Sequence, residues 1–475
     1  MRARGWVAVA AGAVLVTGYA AADLTDALPG ILTLDEPWAE PDPFPTVVLD
    51  PAVAAPQILP DLRPDAPVPD AEQLTRRAVP LLSEPSLAPG VGAVVLDVLT
   101  GDVLLDASSG VPRTPASTLK LLTTTAALVT LGPQTRLPTR VVADPEAPDG
   151  ADGPGAAATV YLVGGGDVLL AAGAGDPEAV VGRAGLGELA AATAAELTSR
   201  GVTAVQVALD DTAFSGPATA AGWGPVDLLF VSPVSPIAVD RGILPGRPGR
   251  EDDPALAAAR AFAAALAGEG LQVGDDVVRR QAPQDAGEVA AVSSATVADL
   301  VEHTLATSDN DVAETLARLV ALATGGSGDF SGGSAAVLAQ LAGEGLDVSN
   351  VRMADASGLS ELNELPPLVL ARLVAMTASA GRPDLLPIAT SLPVAGLEGT
   401  LETRFEGADD PGAGTVRAKT GTLLTVVALA GTVLDADGRL LVFAVVADRV
   451  PVGSLAPARA AVDAWVSALA ACGCS

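Results

Sequence analysis

The sequence predicts a chain in which strands and helices come in separate runs, and three observations carry that reading. Val91 to Val98 and Val103 to Leu105 read as strands on either side of the turn Thr100-Gly101-Asp102. Helices follow from Ala295 to Thr307 and from Val312 to Ala323. Thr415 to Leu424, Val426 to Leu434 and Leu440 to Ala447 then read as three strands, the last two joined by Asp435-Ala436-Asp437-Gly438.

The elements can be justified in order. Met1-Arg2-Ala3-Arg4 ahead of the uncharged run Gly5 to Ala22 has the basic and apolar regions of an export signal over residues 1–22, and Ala20-Ala21-Ala22 offers a small-residue cleavage site. At 18 residues the run sits at the lower limit for crossing a bilayer, so an uncleaved anchor and N-terminal membrane association are the alternative. Of the 38 prolines, 14 fall between Pro29 and Pro89, so residues 23–75 read as a stiff spacer. Glu72 to Leu82 suits a short amphipathic helix and opens a first folded part, 76–140.

Pro115 ahead of Ala116-Ser117, and the apolar, threonine-rich stretch to Leu131, predict a helix starting about Ser117. From 141 to 287 come Gly/Ala/Asp-rich loops, a strand Thr159 to Val163, a helix Leu186 to Arg200 and a strand Val202 to Asp210, which read as an inserted α/β unit. The second folded part, 288–475, holds the later helices and strands and a closing helix, Leu455 to Ala471. Ser308-Asp309-Asn310-Asp311 favours a helix break with a new N-cap over one continuous helix. At about 150 residues per domain, 475 residues fit two or three domains with a real core.

A net charge of -30 argues against nucleic acid and against an anionic membrane surface. Cys472 and Cys474, the only cysteines, are too few for an all-Cys metal site and fit a small closed ring in an oxidising compartment. No metal and no cofactor is indicated.

The chain has two lysines, Lys120 and Lys419, among 27 lysine and arginine residues. A lysine retained in so arginine-biased a chain points to a task that needs an amine able to lose its proton, which a buried lysine does and arginine does not. Lys120 stands three residues after Ser117, one helical turn on and on the same face. A serine hydroxyl needs a base. A Lys120 desolvated by burial and repelled by a second ammonium at Lys419 suits that role, whereas His303, the only histidine, lies inside a helix and reads as structural. On a strand, Lys419 faces one way and Thr420 and Thr422 the other, offering hydroxyls to a substrate carboxylate, while Gly421 permits close backbone approach.

Taken in order, Ser117-X-X-Lys120, Ser308-X-Asn310 and Lys419-Thr420-Gly421 resemble the signature of penicillin-recognising serine enzymes. Further matches are Leu121-Leu122-Thr123, Leu131-Gly132-Pro133, Tyr161 to Asp167, Pro233-Val234-Ser235, Ala313-Glu314, Ser357-Gly358-Leu359-Ser360, Gly399-Thr400-Leu401 and Val416-Arg417-Ala418. Over residues 76 to 475 the chain is similar to the low-molecular-mass class C penicillin-binding proteins, which are D-alanyl-D-alanine carboxypeptidases and endopeptidases, and the Cys472-Gly473-Cys474 tail resembles actinobacterial members.

The resemblance implies an α+β, penicillin-binding/transpeptidase-like fold: a five-stranded antiparallel sheet built from the first hairpin and the last three strands, flanked by helices and interrupted by the inserted α/β region. It implies Ser117 as nucleophile, Lys120 as its base and Ser308 as a relay tuned by Lys419. Asn310 would hold the substrate amide, Thr420 and Thr422 its carboxylate, and the N–H groups of Ser117 and Thr422 an oxyanion beside Gly421. Peptidoglycan peptides and β-lactams are the implied partners, and the cell-envelope side the implied location.

Two departures stand out. Glu361 occupies the place where the family usually has arginine, and the span from Ser117 to Ser308 is shorter than is typical, implying a reduced insertion. A serine β-lactamase or esterase on the same scaffold, or a catalytically silent envelope-binding protein, are the alternatives.

Overall fold

The computed structural model describes residues 65–87, 90–143, 158–379, 381–407 and 409–474. The export signal, and the spacer as far as residue 64, lie outside the described residues. Asp70 caps helix α1 (Ala71–Ala78) through a 2.8 Å bond from Gln73 N, and Pro80 helps turn the next residues, Val79–Ser83, into a 3-10 turn. The helix is therefore shorter than the sequence predicts. Strands β1 (Val91–Asp97) and β2 (Val103–Ala107) form the expected hairpin. The residues around Ser117 begin as a 3-10 turn, Ala116–Leu119, and become α-helical only in α2 (Lys120–Leu131).

The inserted stretch holds more structure than its sequence suggests. Strands β3 (Arg136–Ala143), β4 (Ala158–Val163), β5 (Asp167–Leu170), β6 (Ala204–Asp210), β7 (Ile237–Val239), β8 (Gln272–Val273), β9 (Val278–Arg279) and β10 (Gly287–Thr296) accompany helices α3 (Leu186–Ser199) and α4 (Pro254–Gly268). A mixed six-stranded sheet runs β10-β3-β4-β6-β8, with β9 also on β6, and β5 pairs with β7 in a small parallel ladder. Leu162, Leu189, Val207 and Phe262 form a core of its own between this sheet and α3 and α4.

The chain then returns through α5 (Val297–Thr307), α6 (Asn310–Ala323), α7 (Phe330–Gly343), α8 (Pro367–Thr377) and the one-turn α9 (Leu386–Thr390) to strands β11 (Val416–Leu423), β12 (Val426–Leu434) and β13 (Leu440–Ala447), closing with α10 (Leu455–Ala470). These strands and the first hairpin build the expected five-stranded sheet, order β11-β12-β13-β1-β2, antiparallel throughout.

Both faces of this sheet are covered, so its central strands are apolar on consecutive residues instead of alternating. Val442, Ala444 and Val446 join a core with α2, α5, α6 and α8, whereas Leu441, Phe443 and Val445 pack with α1 and α10, where Phe443 meets Trp465 edge-on at 6.2 Å. Cys472 and Cys474 are bonded to each other and buried in the second core, and Cys474 O accepts from Asp70 N, tying the C-terminus to α1. Strand β11 forms one edge of the sheet, with β2 at the other, and lies against the turn that bears Ser117.

Candidate active site

The Ser117 turn is held in an uncommon shape from two sides. Ala116 has a left-handed backbone, φ 47°, which costs a non-glycine residue about 1–2 kcal/mol. It persists because neighbours fix it. Thr118 Oγ1 donates to Pro115 O at 2.7 Å, Gly421 of β11 lies so close that a Cβ would fall 2.8 Å from Pro115 O, and a Cβ on Gly358 would fall 2.0 Å from Ala116 O. Two glycines thus admit the Ser117 backbone between β11 and the loop that follows Asp355. Ser117 itself stays half-buried.

From the first residue of α2, Lys120 returns one turn toward Ser117. Its Nζ lies 3.1 Å from Ser117 Oγ, 2.6 Å from Asn310 Oδ1 and 2.7 Å from Ser357 O, fully buried. A neutral amine has two hydrogens and a lone pair; with Asn310 and Ser357 accepting both hydrogens, the lone pair faces the Ser117 hydroxyl. Burial lowers Lys120 to about 8, against the pull of Asp355, Glu314, Asp309 and Asp311. Lys419 is buried as well, donates to Thr420 O at 3.0 Å, and is held well below the usual lysine range by burial and by the nearby Lys120 charge. The repulsion expected between the two amines therefore appears at Lys419, whereas burial is what lowers Lys120.

The connection between α5 and α6 breaks as the sequence predicts. Ser308 takes a left-handed conformation, φ 63°, and Asp309 caps α6 by accepting from Val312 N at 3.1 Å. Asn310 bridges two segments, accepting from Lys120 and donating to Phe230 O at 2.9 Å. Ser308 is half-buried, and its hydroxyl has no hydrogen bond among the described residues. On β11, Thr420 Oγ1 donates to Thr400 Oγ1 at 2.8 Å; Thr422 is half-buried, as is Thr420, while Lys419 and Gly421 are buried. The structure thus brings Ser117, Lys120 and Asn310 into direct contact and sets Lys419 to Thr422 alongside. Among the described residues no group of three or more His, Cys, Asp or Glu is arranged to hold a metal ion.

Several supports escape sequence reading. The buried Asp355 carboxylate accepts from Gly358 N at 2.8 Å, Ser360 N at 2.6 Å, Asn363 Nδ2 at 2.8 Å and Trp223 Nε1 at 2.8 Å, fixing the loop that presents Ser357 O. Glu314, buried beneath it, accepts from Ala356 N and from Ser357 N at 2.8 Å, and burial together with the Asp355 charge raises it to about 8. An Asp-X-Ser-Gly string looks like any turn, so only its apolar flanks hint at burial. Glu361 is exposed, and its carbonyl accepts from Thr114 Oγ1 at 3.4 Å beside the Ser117 turn. His303 stacks no catalytic group; its Nε2 meets Asp309 Oδ2 at 3.0 Å.

Known proteins resemble this chain over most of its length. The profile of the D-Ala-D-Ala carboxypeptidase 3 (S13) family matches residues 78–249 and 248–469. Carboxypeptidase DacB of Mycolicibacterium smegmatis is 36% identical over 480 residues, 98% of this chain and 95% of that one. A D-alanyl-D-alanine carboxypeptidase of Actinomadura sp. is 30% identical, covering 76% of this chain and 78% of its own. Among solved structures, penicillin binding protein 4 (dacB) of Haemophilus influenzae shares the fold, with a TM-score of 0.68 at 22% identity over 85% of this chain and all of that one.

Proposed function

The chain belongs to the D-Ala-D-Ala carboxypeptidase 3 (S13) family and is a serine-type D-alanyl-D-alanine carboxypeptidase or endopeptidase, and from that premise we propose how its residues divide the work. Ser117 Oγ attacks the carbonyl between two D-alanines as Lys120 takes its proton. Collapse of the tetrahedral intermediate breaks the C–N bond, and the proton taken up by Lys120 passes through the Ser308 hydroxyl to the departing amine under the influence of Lys419. Water then hydrolyses the Ser117 ester. Asn310 holds the substrate amide, Thr420 and Thr422 its carboxylate, and the N–H groups of Ser117 and Thr422 the oxyanion, with Gly421 leaving room for the peptide.

One observation carries this reading: a fully buried amine 3.1 Å from a half-exposed serine hydroxyl, its remaining directions taken by Asn310 and Ser357. A β-lactam enters the same chemistry as a cyclic amide and leaves an ester that clears slowly. The test is covalent labelling by a fluorescent penicillin, expected for the wild type and abolished in Ser117→Ala; labelling that survives the substitution would remove Ser117 from the role. Digestion of isolated muropeptides with mass-spectrometric readout separates loss of a terminal alanine from cutting of crosslinks.

Work on peptidoglycan places the protein at the cell envelope. The basic and apolar start of the chain supports export across residues 1–22, with cleavage or anchoring as outcomes, followed by a spacer over 23–75 and a transpeptidase-like domain, 76–140 and 288–475, interrupted by residues 141–287. Among the described residues no helix is long and apolar enough to cross a membrane. N-terminal sequencing of the mature protein tests the export step, since a start beyond Ala22 would show cleavage.

A further inference from the structure

We infer that Arg241 and Arg250, supplied by the inserted region, are positioning residues for the Ser308–Asn310 corner: paired with Asp309 and Asp311, they keep Asn310 against Lys120. The inference rests on the roles proposed for Ser117, Lys120 and Asn310.

The corner has two sides. Asn310 turns toward Lys120, whereas Asp309 and Asp311 turn toward the insertion and are nearly completely buried, their side chains 1% and 8% exposed. Two buried carboxylates two residues apart repel each other, and each must be matched or protonated. Arg241 Nη1 reaches Asp309 Oδ2 at 3.4 Å, and Arg250 Nη1 reaches Asp311 Oδ2 at 3.3 Å. The insertion completes the grip with Ser232 N on Asp311 Oδ1 at 2.8 Å and Phe230 O on Asn310 Nδ2 at 2.9 Å.

The holding segment is itself shaped for the task. Asp240 and Arg241 both have left-handed backbones, φ 39° and 59°, which costs each about 1–2 kcal/mol. That conformation aims Arg241 at Asp240 and Asp309 together. Its carbonyl accepts from Ser232 Oγ and, at 2.9 Å, from Arg250 Nη1, so the two arginines and Ser232 form one unit. A residue far along the insertion thereby fixes an atom 2.6 Å from Lys120 Nζ.

The same pairs act on Lys120 electrostatically. The charged groups that bear on it are Glu314 and Asp311 from α6, its N-cap Asp309 and Asp355 from the following loop, while Lys419 of β11 feels the Lys120 charge in turn; His303 and Arg241 face Asp309, and Arg250 faces Asp311. Removing the Arg241 charge leaves Asp309 less opposed, which strengthens its hold on the Lys120 proton.

The test uses the full chain as wild type, Arg241→Gln, Arg241→Lys and Asp309→Asn. Acylation by a fluorescent penicillin is followed from about pH 6 to about pH 10, alongside the titration midpoint of Lys120 read by NMR of 13Cε-labelled lysine and the melting temperature. Arg241→Gln is expected to slow acylation roughly tenfold, the size of effect a sub-ångström misplacement produces. It should raise the Lys120 midpoint by roughly half a unit, the scale of one charge about 10 Å away. Arg241→Lys should recover most of both, and Asp309→Asn should move the midpoint the other way.

A folded Arg241→Gln with wild-type rate and midpoint overturns the inference. So does a rate that falls only in step with the melting temperature, the midpoint standing still. The midpoint needs no turnover, so it tests the coupling of Arg241 to Lys120 even if wild-type Ser117 fails to label, a result that would instead sink the proposed catalytic roles.

Discussion

Replacing Gly358 by alanine should disable the nucleophile by pushing on the backbone turn that carries it. Gly358 has φ +86°, where a side chain costs about 1–2 kcal/mol. The new Cβ would sit 2.0 Å from Ala116 O and 2.5 Å from Ala116 C, both backbone atoms of the Ser117 turn. Neither can rotate away. Opening that contact to even 3.0 Å moves the turn and the Ser357–Gly358 loop apart by about 1 Å, which draws Ser357 O off Lys120 and Ser117 Oγ off its base.

A displacement of about 1 Å at reacting atoms is worth up to roughly 10²-fold in rate, and the strain and overpacking together about 2–4 kcal/mol in stability. The assay is the second-order rate of penicillin acylation, compared with thermal melting and with Gly343→Ala, whose Cβ meets nothing within 4 Å. Gly343→Ala should acylate at the wild-type rate. A Gly358→Ala protein that also did so would show that the loop does not hold the Ser117 turn in its reactive shape.

Acylation should be pH-dependent in one direction. With Lys120 lowered to about 8, the neutral base is lost as pH falls, so the rate should drop about tenfold per unit below about pH 7 and level off above about pH 9; a flat profile would exclude Lys120 as base. Asp97→Ala should destabilise by about 3–5 kcal/mol in a denaturant melt while leaving acylation per folded molecule unchanged, because it strips the buried Arg439 of bonds at 2.5 and 2.9 Å on the sheet far from Ser117. Burial pushes the Asp97 carboxyl up, but bonds from Arg439, Thr100 and Leu99 hold it below its ordinary value. The stabilisation is therefore complete above about pH 4 and lost as pH falls below it; equal wild-type and variant stability at pH 7 would refute the pair's contribution.

The five-stranded sheet was legible because Val426–Leu434 and Leu440–Ala447 are apolar, β-branched runs with clear turns between them. Much of the insertion was not. Helix α4, PALAAARAFAAALAG, is so rich in alanine that its buried and exposed faces barely differ in hydropathy, and β10, GEVAAVSSAT, offers small residues that mark neither face of a sheet. Helix α7 starts with Phe330-Ser331-Gly332-Gly333, which reads as a loop; Asp329 supplies the cap, accepting from Gly332 N at 2.7 Å.

At the site, the three motifs could be found because lysine is so scarce and their order is specific. Their supports could not. Trp223 meets Asp355 across 132 residues, Arg241 meets Asp309 across 68 and Glu314 meets Ser357 N across 43, and a carboxylate's burial follows from the fold that surrounds it. The electrostatics shifted for the same reason. Sequence shows that two amines meet, but only the packed structure shows four carboxylates near Lys120 and none acting on Lys419.

Because the chain has two lysines, 13Cε-lysine labelling yields two resonances, and titrating them reads the proposed base directly. The Lys120 signal, identified as the one lost in Lys120→Arg, should titrate near pH 8, with Lys419 also well below the ordinary lysine range. A Lys120 midpoint at the ordinary lysine value of about 10.4 would leave Ser117 without a neutral amine and contradict the assignment.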